Sequence, residues 1–484
     1  MIASEMQPFS KTGGLADVIG ALPLALGRLG HAVTVVTPRY RGVEAGQPVG
    51  AVAVERAGYR FDVEFSEVRL GEGARALLAD CPPLFDRAGL YNEGNVDYAD
   101  NPLRYAVLAQ AALAWASAQP SPPSVVHAHD WQGGLVPAYL RALPADAPLA
   151  GLPTVFTVHN IAYQGVVDKE WVPRLGLDWS GFRAADGFEF WDRLSLLKAG
   201  VNMADMVTTV SPTYALEVQR PEYGYGFDGV MRARAEALVG ILNGIDTRVW
   251  DPAADPHLPA PYDAEDLSGK AAAKRALLER FGLPADEAAM ARPIVGVVSR
   301  LVEQKGFDLV EAAAGRLLDF DATYVVVGAG EPRYEALWRR MAGHRPDRVG
   351  VFIGFDEARA HLVEGGADLF LMPSRYEPCG LNQMYSLRYG TVPVVRAVGG
   401  LVDSVRPYNP RNGQGTGFLF SEYHPEALVD ALGRALAAWG NPKARARLQR
   451  NGMSKDFSWD RSAAEYVTVY KRVIGLRRQR PAKG

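Results

Sequence analysis

Apolar side chains in this chain gather into ten short, continuous runs rich in β-branched residues. The first half holds AVTVVTP (32–38), SVVHAHD (124–130), PTVFTVHN (153–160), MVTTVSP (206–212) and LVGILNG (238–244). The second holds PIVGVVSR (293–300), TYVVVGAG (323–330), GVFIGF (350–355), DLFLMPS (368–374) and VPVVRAVGG (392–400). Continuous rather than alternating hydrophobicity predicts strands buried on both faces, as in parallel sheets covered by helices. A different period marks KTGGLADVIGALPLAL: Leu15, Val18, Ile19 and Leu22 recur at i, i+3, i+4 and i+7. That spacing predicts a helix whose N-terminus lies at Gly13 and Gly14, with Pro23 expected to kink or end it.

Between the two sets of strands lies WDPAADPHLPAPYDAED (250–266), rich in Pro, Asp and Ala and without periodicity. It reads as a linker between two doubly wound α/β domains. The halves also echo each other, since ADMVTTVSP (204–212) and ADLFLMPS (367–374) both run Ala-Asp, apolar strand, Ser/Pro turn. Ligands of open parallel sheets bind beyond the carboxyl ends of the strands. A domain of this kind opens on a complete strand, yet only MIAS precedes EMQPFSKTGG. Either the first strand is very short or the natural chain starts several residues upstream, and the second is the expectation.

Composition narrows the function. The 484 residues exceed what one core serves, and 48% apolar with 22% charged residues is ordinary for a soluble globular protein. A net charge of −3 excludes a strongly basic nucleic-acid binder, so any bound anion must be held by a few local cations. Cys81 and Cys379 are the only cysteines, too few for a disulfide framework, and point to a reducing, cytoplasmic setting. No signal peptide and no apolar run of about 18 residues is visible. The C-terminal RRQRPAKG reads as a solvated tail.

Several polar groups fall at predicted strand ends. Gly13 and Gly14, with Lys11 before them, would present bare N–H groups and the positive end of a helix dipole to an anion; a flexible turn is the plainer alternative. The order fits neither a Walker loop nor a GxGxxG fingerprint. In SRLVEQKGFD, Arg300 and Lys305 could converge on one anion, or belong to a solvated basic loop. Unit charges about 4 Å apart interact by roughly 4 kcal/mol at an effective dielectric near 20, enough to hold a departing diphosphate without a metal. In HAHDWQGG, His127 and His129 would share a strand face with Asp130 at its end. Two imidazoles and one carboxylate favour a structural or substrate-binding role over a metal site. His159 and Asn160, ending TVHN, could be buried structure or read sugar hydroxyls. In PSRYEPCGLNQM, Glu377 could accept from hydroxyls while the N–H groups of Cys379, Gly380 and Leu381 face an anion or sugar. Cys379 lacks the surroundings of a nucleophile and reads as a packing or contact residue.

Together, SEMQPFSKTGGLADVIGALPLAL, HAHDWQGG, TVHNIAYQG, ILNGIDTRVWDP, SRLVEQKG, PSRYEPCGLNQM and GGLVDSV resemble the bacterial glycogen synthases and related starch synthases, in order and along nearly the whole chain. The resemblance implies a GT-B fold, two Rossmann-like doubly wound domains facing a central cleft. Residues 1–245 would form the acceptor-side domain and 246–456 the nucleotide-sugar side, with a C-terminal helix of about 457–484 packing back on the first. It implies retaining transfer of glucose from ADP-glucose to the non-reducing end of an α-1,4-glucan; with Arg300, Lys305 and Lys11 to stabilise the diphosphate charge, no metal or other cofactor is expected. Lys11, Gly13 and Gly14 then match a donor-phosphate loop, and Arg300 with Lys305 the pair that stabilises departing ADP. Glu377 matches the acid beside the donor sugar, His159, Asn160 and Asn243 the glucose pocket, Asp130 an acid on the acceptor side, and Phe355 an aromatic for adenine. Asn382 stands where relatives often carry Thr. Tyr385 stands where sister families carry a second acid, which favours the glycogen/starch synthase branch over sucrose-phosphate-synthase-like enzymes. Two rival readings are a non-catalytic glucan-binding protein and a sugar-nucleotide epimerase. Labelled ADP-glucose separates them, the label ending in polymer, in free sugar or nowhere.

Overall fold

In the computed structural model, which describes residues 1–94 and 96–479, each of the ten apolar runs contains a strand. Residues 480–484, part of the expected C-terminal helix and tail, lie outside the described residues. The chain divides into two units, Met1–Gly244 with the segment from Trp459, and Ile245–Ser458.

In the first unit the strands are β1 (Val33–Pro38), β2 (Gln47–Arg56), β3 (Tyr59–Gly71), β4 (Ala74–Asp80), β5 (Val126–His129), β6 (Thr154–Val158), β7 (Met206–Thr209) and β8 (Leu238–Gly240). They form two four-stranded ladders, β1-β4-β3-β2 and β8-β7-β6-β5. Ile2 joins them with parallel bridges to Val36 of β1 and Ala128 of β5. The short MIAS segment thus fills the central strand position. Counting it, the parallel strands run 3-2-1-4-5-6-7, with the order reversing between Ile2 and β5.

The hairpin of β2 and β3 is not among the predicted strands. It is antiparallel and largely solvent-facing, and turns at Ala57 and Gly58 with φ of 52° and 80°. Its sequence, AVAVERAGYRFDVEF, alternates with period two, as expected for a sheet with one wet face.

The helix Gly14–Arg28 buries Leu15, Val18, Ile19 and Leu22 as their spacing requires. Pro23 neither ends nor divides it. An interior proline costs about 3 kcal/mol. Burial of Leu26 beyond it, at 1% exposure, returns a comparable amount, about 1.5–3 kcal/mol. The C-terminal helix Trp459–Gln479 adds Trp459, Ala463, Tyr466, Val469 and Val473 to the same core.

In the second unit β9 (Ile294–Val298), β10 (Thr323–Gly328), β11 (Val349–Ile353), β12 (Leu369–Met372), β13 (Val392–Arg396) and β14 (Phe418–Phe420) form one parallel sheet ordered β11-β10-β9-β12-β13-β14. That is 3-2-1-4-5-6, and the order again reverses, between β9 and β12.

The sequence echo has a structural cause. Asp205, just before β7, accepts the Thr154 N–H at 2.9 Å and the Arg477 guanidinium at 2.9 Å. Asp368, just before β12, accepts the Ile294 N–H at 2.8 Å and the Lys274 ammonium at 2.6 Å. In each sheet the aspartate clamps the first N–H of the neighbouring strand, and a cation from a flanking helix neutralises it.

Candidate functional site

The second unit places its polar groups at its switch point. The loop after β9 carries Arg300 and the 3-10 turn Glu303–Lys305; the loop after β12 carries Ser374, Glu377 and Cys379–Leu381. The Lys305 ammonium donates to Glu377 Oε2 at 2.6 Å, and Ser374 Oγ donates to the same oxygen at 2.9 Å. Glu377 is 4% exposed, so its charge is held by these neighbours rather than by water.

Backbone contact between the loops depends on glycine. Gly306 has φ 78°, and a Cβ there would stand 2.0 Å from the Pro373 carbonyl oxygen. A Cβ on Gly399 or Gly400 would stand 1.9 Å from the Glu377 oxygen or 2.1 Å from the Cys379 oxygen. This packing gives GGLVDSV its place, since it lets the helix Gly399–Ser404 support the Glu377 loop. Asn382, the departure from Thr, donates from Nδ2 to the Val298 carbonyl at 2.7 Å and so ties the helix Asn382–Arg388 to the end of β9. Gln383 Nε2 donates to the carbonyls of Cys379 and Gly380. The Cys379 side chain is buried. The N–H groups of Gly380 and Leu381, both half-buried residues, donate to no acceptor among the described residues.

Arg300 is exposed, 3.3 Å from Gln304 Oε1, and Phe355, two residues past β11, is 80% exposed. Tyr385 instead stacks on Trp250 with centroids 3.8 Å apart and planes at 11°. Its ring serves the core.

In the first unit the loop after Ile2 is organised by Glu5, which sequence reasoning missed. Its buried carboxylate accepts from the Thr12 N–H at 2.5 Å, Thr12 Oγ1 at 2.6 Å and Tyr91 OH at 2.5 Å. Nothing periodic marks it in the sequence, only its place seven residues before Thr12. Lys11 lies in an ion pair with Asp17 at 2.5 Å, with 48% of its side chain exposed. Such a pair contributes about 0–1 kcal/mol and is readily exchanged for another anion. A Cβ on Gly13 or Gly14 would meet nothing within 4 Å, and neither has positive φ.

Beyond β5 and β6, Asp130 and His159 come together. Asp130, at φ 52°, accepts the His159 N–H at 2.7 Å, and His159 Nε2 lies 3.0 Å from His129 Nδ1. His127 and His129 share a face with centroids 4.1 Å apart, and His127 bonds Thr157 and Tyr470. Asn160 Oδ1 accepts the Ala162 N–H and shapes the next turn. The Asn243 side-chain oxygen is buried without a hydrogen-bond partner among the described residues. Among the described residues no group of three or more His, Cys, Asp or Glu side chains is placed to hold a metal ion. No helix described is long and apolar enough to cross a membrane.

Burial sets the charge states here. It lowers His159 to about 3 and His127 and His129 well below their usual value, and raises Asp130 to about 7 against the pull of the His159 and Asn160 N–H groups. A histidine neutral in the fold contributes stability that is lost as pH falls below its unfolded value near 6.5. Asp130 has the opposite sign, its contribution falling as pH rises from about 4 towards 7. Three histidines against one carboxyl predict a Tm that drops between about pH 6.5 and pH 5, and a shallower drop in His127→Gln. An unaltered slope in that variant would remove His127 from the effect.

Residues 1–233 match the family described as starch synthase catalytic domain, and residues 282–455 that described as glycosyl transferases group 1. A glycogen synthase of Anaeromyxobacter sp. (strain Fw109-5) is 52% identical over 475 residues, covering 97% of this chain and 98% of its own. One from Myxococcus xanthus (strain DK1622) is 49% identical, covering 98% of each. The catalytic domain of starch synthase IV from Arabidopsis thaliana, bound to ADP and acarbose, superposes with a TM-score of 0.88 at 33% identity over 98% of both chains. A sucrose-phosphate synthase from Thermosynechococcus elongatus shares the fold, with a TM-score of 0.58 at 20% identity over 98% of both.

Proposed function

The chain belongs to the glycogen synthase family of GT-B glycosyltransferases, and from that premise we propose how its residues move glucose from ADP-glucose to the non-reducing end of an α-1,4-glucan. Lys305 and Arg300 neutralise the donor diphosphate as the bond from the glucose anomeric carbon to the phosphate oxygen breaks. The acceptor 4-hydroxyl oxygen bonds to that carbon on the same face, and its proton passes to the departing phosphate oxygen. Glu377 holds Lys305 in place and accepts from donor-sugar hydroxyls, with the Cys379–Leu381 backbone beside it. Phe355 offers its exposed ring to adenine. His159, Asn160 and Asn243 bind glucose, and Asp130 orders the His159–Asn160 turn on the acceptor side. A retaining glycosidase would need two carboxylates about 5 Å apart; here Lys305 occupies the neighbouring place on Glu377.

The single observation that carries this reading is the Lys305–Glu377–Ser374 cluster at the point where the second sheet reverses order. It is tested by incubating the protein with radiolabelled ADP-glucose and glycogen, with label expected in amylase-digestible polymer. Label in free sugar, or none transferred, would overturn it. The same assay in EDTA is expected to run undiminished, because cationic side chains replace a metal at the diphosphate. An EDTA-sensitive rate would contradict that arrangement. We place the reaction in the cytoplasm, where two buried cysteine thiols are at home.

Gly13 and Gly14 supply a further test. Neither packing nor a positive φ requires glycine at either position, and a Cβ there would project into open space where the donor is proposed to lie. Gly14→Ala adds a better helix former at the first helical residue and is expected to hold or raise Tm. It is also expected to raise the KM for ADP-glucose about tenfold or more, by blocking close approach of the diphosphate. A variant with normal KM would show that Gly14 does not meet the donor.

A further inference from the structure

One surface of the first unit is not used by the reaction as described. A small sheet pairs Val166–Val167 with Arg193–Ser195, and the latter with Glu189–Phe190. The hairpin between Phe190 and Arg193 turns through Trp191 and Asp192, both at positive φ, 54° and 59°. Such two-residue turns favour Asn-Gly, and a bulky side chain at the first position is strained. The Trp191 ring gains little from the fold in return. It is 80% exposed and meets Phe190 with centroids 6.1 Å apart. The turn is nonetheless well fixed, because Glu189 accepts the Asp192 N–H at 2.6 Å and Lys169 pairs with the Asp192 carboxylate.

Other aromatic residues lie on the segments that adjoin this hairpin. Phe190 packs on Phe227 at 4.5 Å, and two residues before Phe227 stands Tyr225, also at positive φ and 46% exposed. Tyr163 is 53% exposed. The backbone continues directly into the predicted sugar site. The Asn160 carbonyl accepts the Tyr163 N–H, the Gln164 and Gly165 carbonyls accept the N–H groups of Leu197 and Leu196, and Gln164 Nε2 donates to the Tyr225 carbonyl. The His159–Asn160 turn and the aromatic hairpin are therefore one hydrogen-bonded assembly.

We propose that Trp191, with Tyr163 and Tyr225 on the segments bonded to its sheet, forms an aromatic shelf that stacks against glucose rings of the acceptor chain beyond those held by the His159–Asn160 turn. The proposal rests on the glucan-acceptor reading above. Strain kept at an exposed, unrewarded side chain points to a role outside folding, and exposed rings on neighbouring segments to a partner with apolar faces. The faces of a glucan's pyranose rings, lined with C–H groups, suit such rings, while the chain's hydroxyls remain in water at the edges. The shelf gives the protein a preference for long acceptors over short ones.

The experiment compares glycogen with maltotriose as acceptors at saturating ADP-glucose. Wild-type protein is first shown to transfer to both; transfer to neither would remove the acceptor reading itself, and the shelf with it. Trp191→Ala is expected to raise the KM for glycogen roughly fivefold, the scale of one lost stacking contact, and by clearly more than the KM for maltotriose. Trp191→Phe keeps an aromatic face and is expected to recover most of that loss. Retention of Trp191→Ala on glycogen-containing native gels, run beside a glycogen-free gel, reads affinity without turnover and is expected to fall. Equal changes for both acceptors, no change for either, or a Phe variant as weak as the Ala variant would each overturn the shelf.

Discussion

Lys305→Ala is expected to lower kcat at least ~100-fold with ADP-glucose and glycogen, the scale of losing a preorganised group aimed at developing charge. The ammonium is held at 2.6 Å from Glu377 in a side chain only 20% exposed, so its position is set before substrate arrives. A hundredfold loss corresponds to about 2.7 kcal/mol. That lies below the roughly 4 kcal/mol available to a charge pair about 4 Å apart at an effective dielectric near 20, so the demand on this one group is reasonable. Removing Lys305 also leaves Glu377 with Ser374 as its donor. For that reason Lys305→Arg, which keeps the charge, is the companion variant and should retain more activity. Loss of turnover in the alanine variant with an unshifted Tm assigns the effect to chemistry. Near-normal turnover would show that the diphosphate is neutralised elsewhere.

Asp368→Ala carries the largest expected effect on stability. Its carboxylate satisfies both the Lys274 ammonium, in a pair whose side chains are 10% and 8% exposed, and the first N–H of β9. Removing one partner of a buried pair leaves the other charge uncompensated and costs about 3–5 kcal/mol. For a unit of this size that lowers Tm by roughly 6–20 °C. Asp368→Asn can still accept from Ile294 and should fall between the two. A Tm shift of about a degree in the alanine variant would mean water reaches Lys274 readily, and that the clamp does not fix β9 against β12. Because β9 and β12 carry Lys305 and Glu377 on their following loops, the same variant connects packing at one end of the strands to chemistry at the other.

Most of the strands are legible in the amino-acid sequence. Runs such as TYVVVGAG and DLFLMPS are buried on both faces, and continuous hydrophobicity is a direct consequence of that burial. The helix at Gly14 is legible because its four apolar positions face one core. The β2–β3 hairpin escapes because most of its side chains face water and its signal is alternation rather than a run. Pro23 misleads because local propensity counts the missing N–H but not the Leu26 burial beyond it. The Ala-Asp echo is visible in the sequence, but its meaning is not. A carboxylate capping a neighbouring strand depends on which strands are adjacent, and adjacency is a property of the fold. Glu5 and Ser374 go unmarked for the same reason, since each acts on a partner brought to it by tertiary structure. Lys11 shows the reverse limit. The sequence marks it as a cation for an anion, and in the structure it rests against Asp17.

The central claim is that the loops after β9 and β12, with Phe355 past β11, hold the nucleotide diphosphate of the donor. Amide hydrogen exchange with and without ADP, in the presence of EDTA, tests it most directly. The account predicts slowed exchange concentrated in residues 299–307 and 374–383, with a smaller effect around 354–356. ADP binding that leaves those segments unprotected, or that appears only when a divalent metal is supplied, would contradict it.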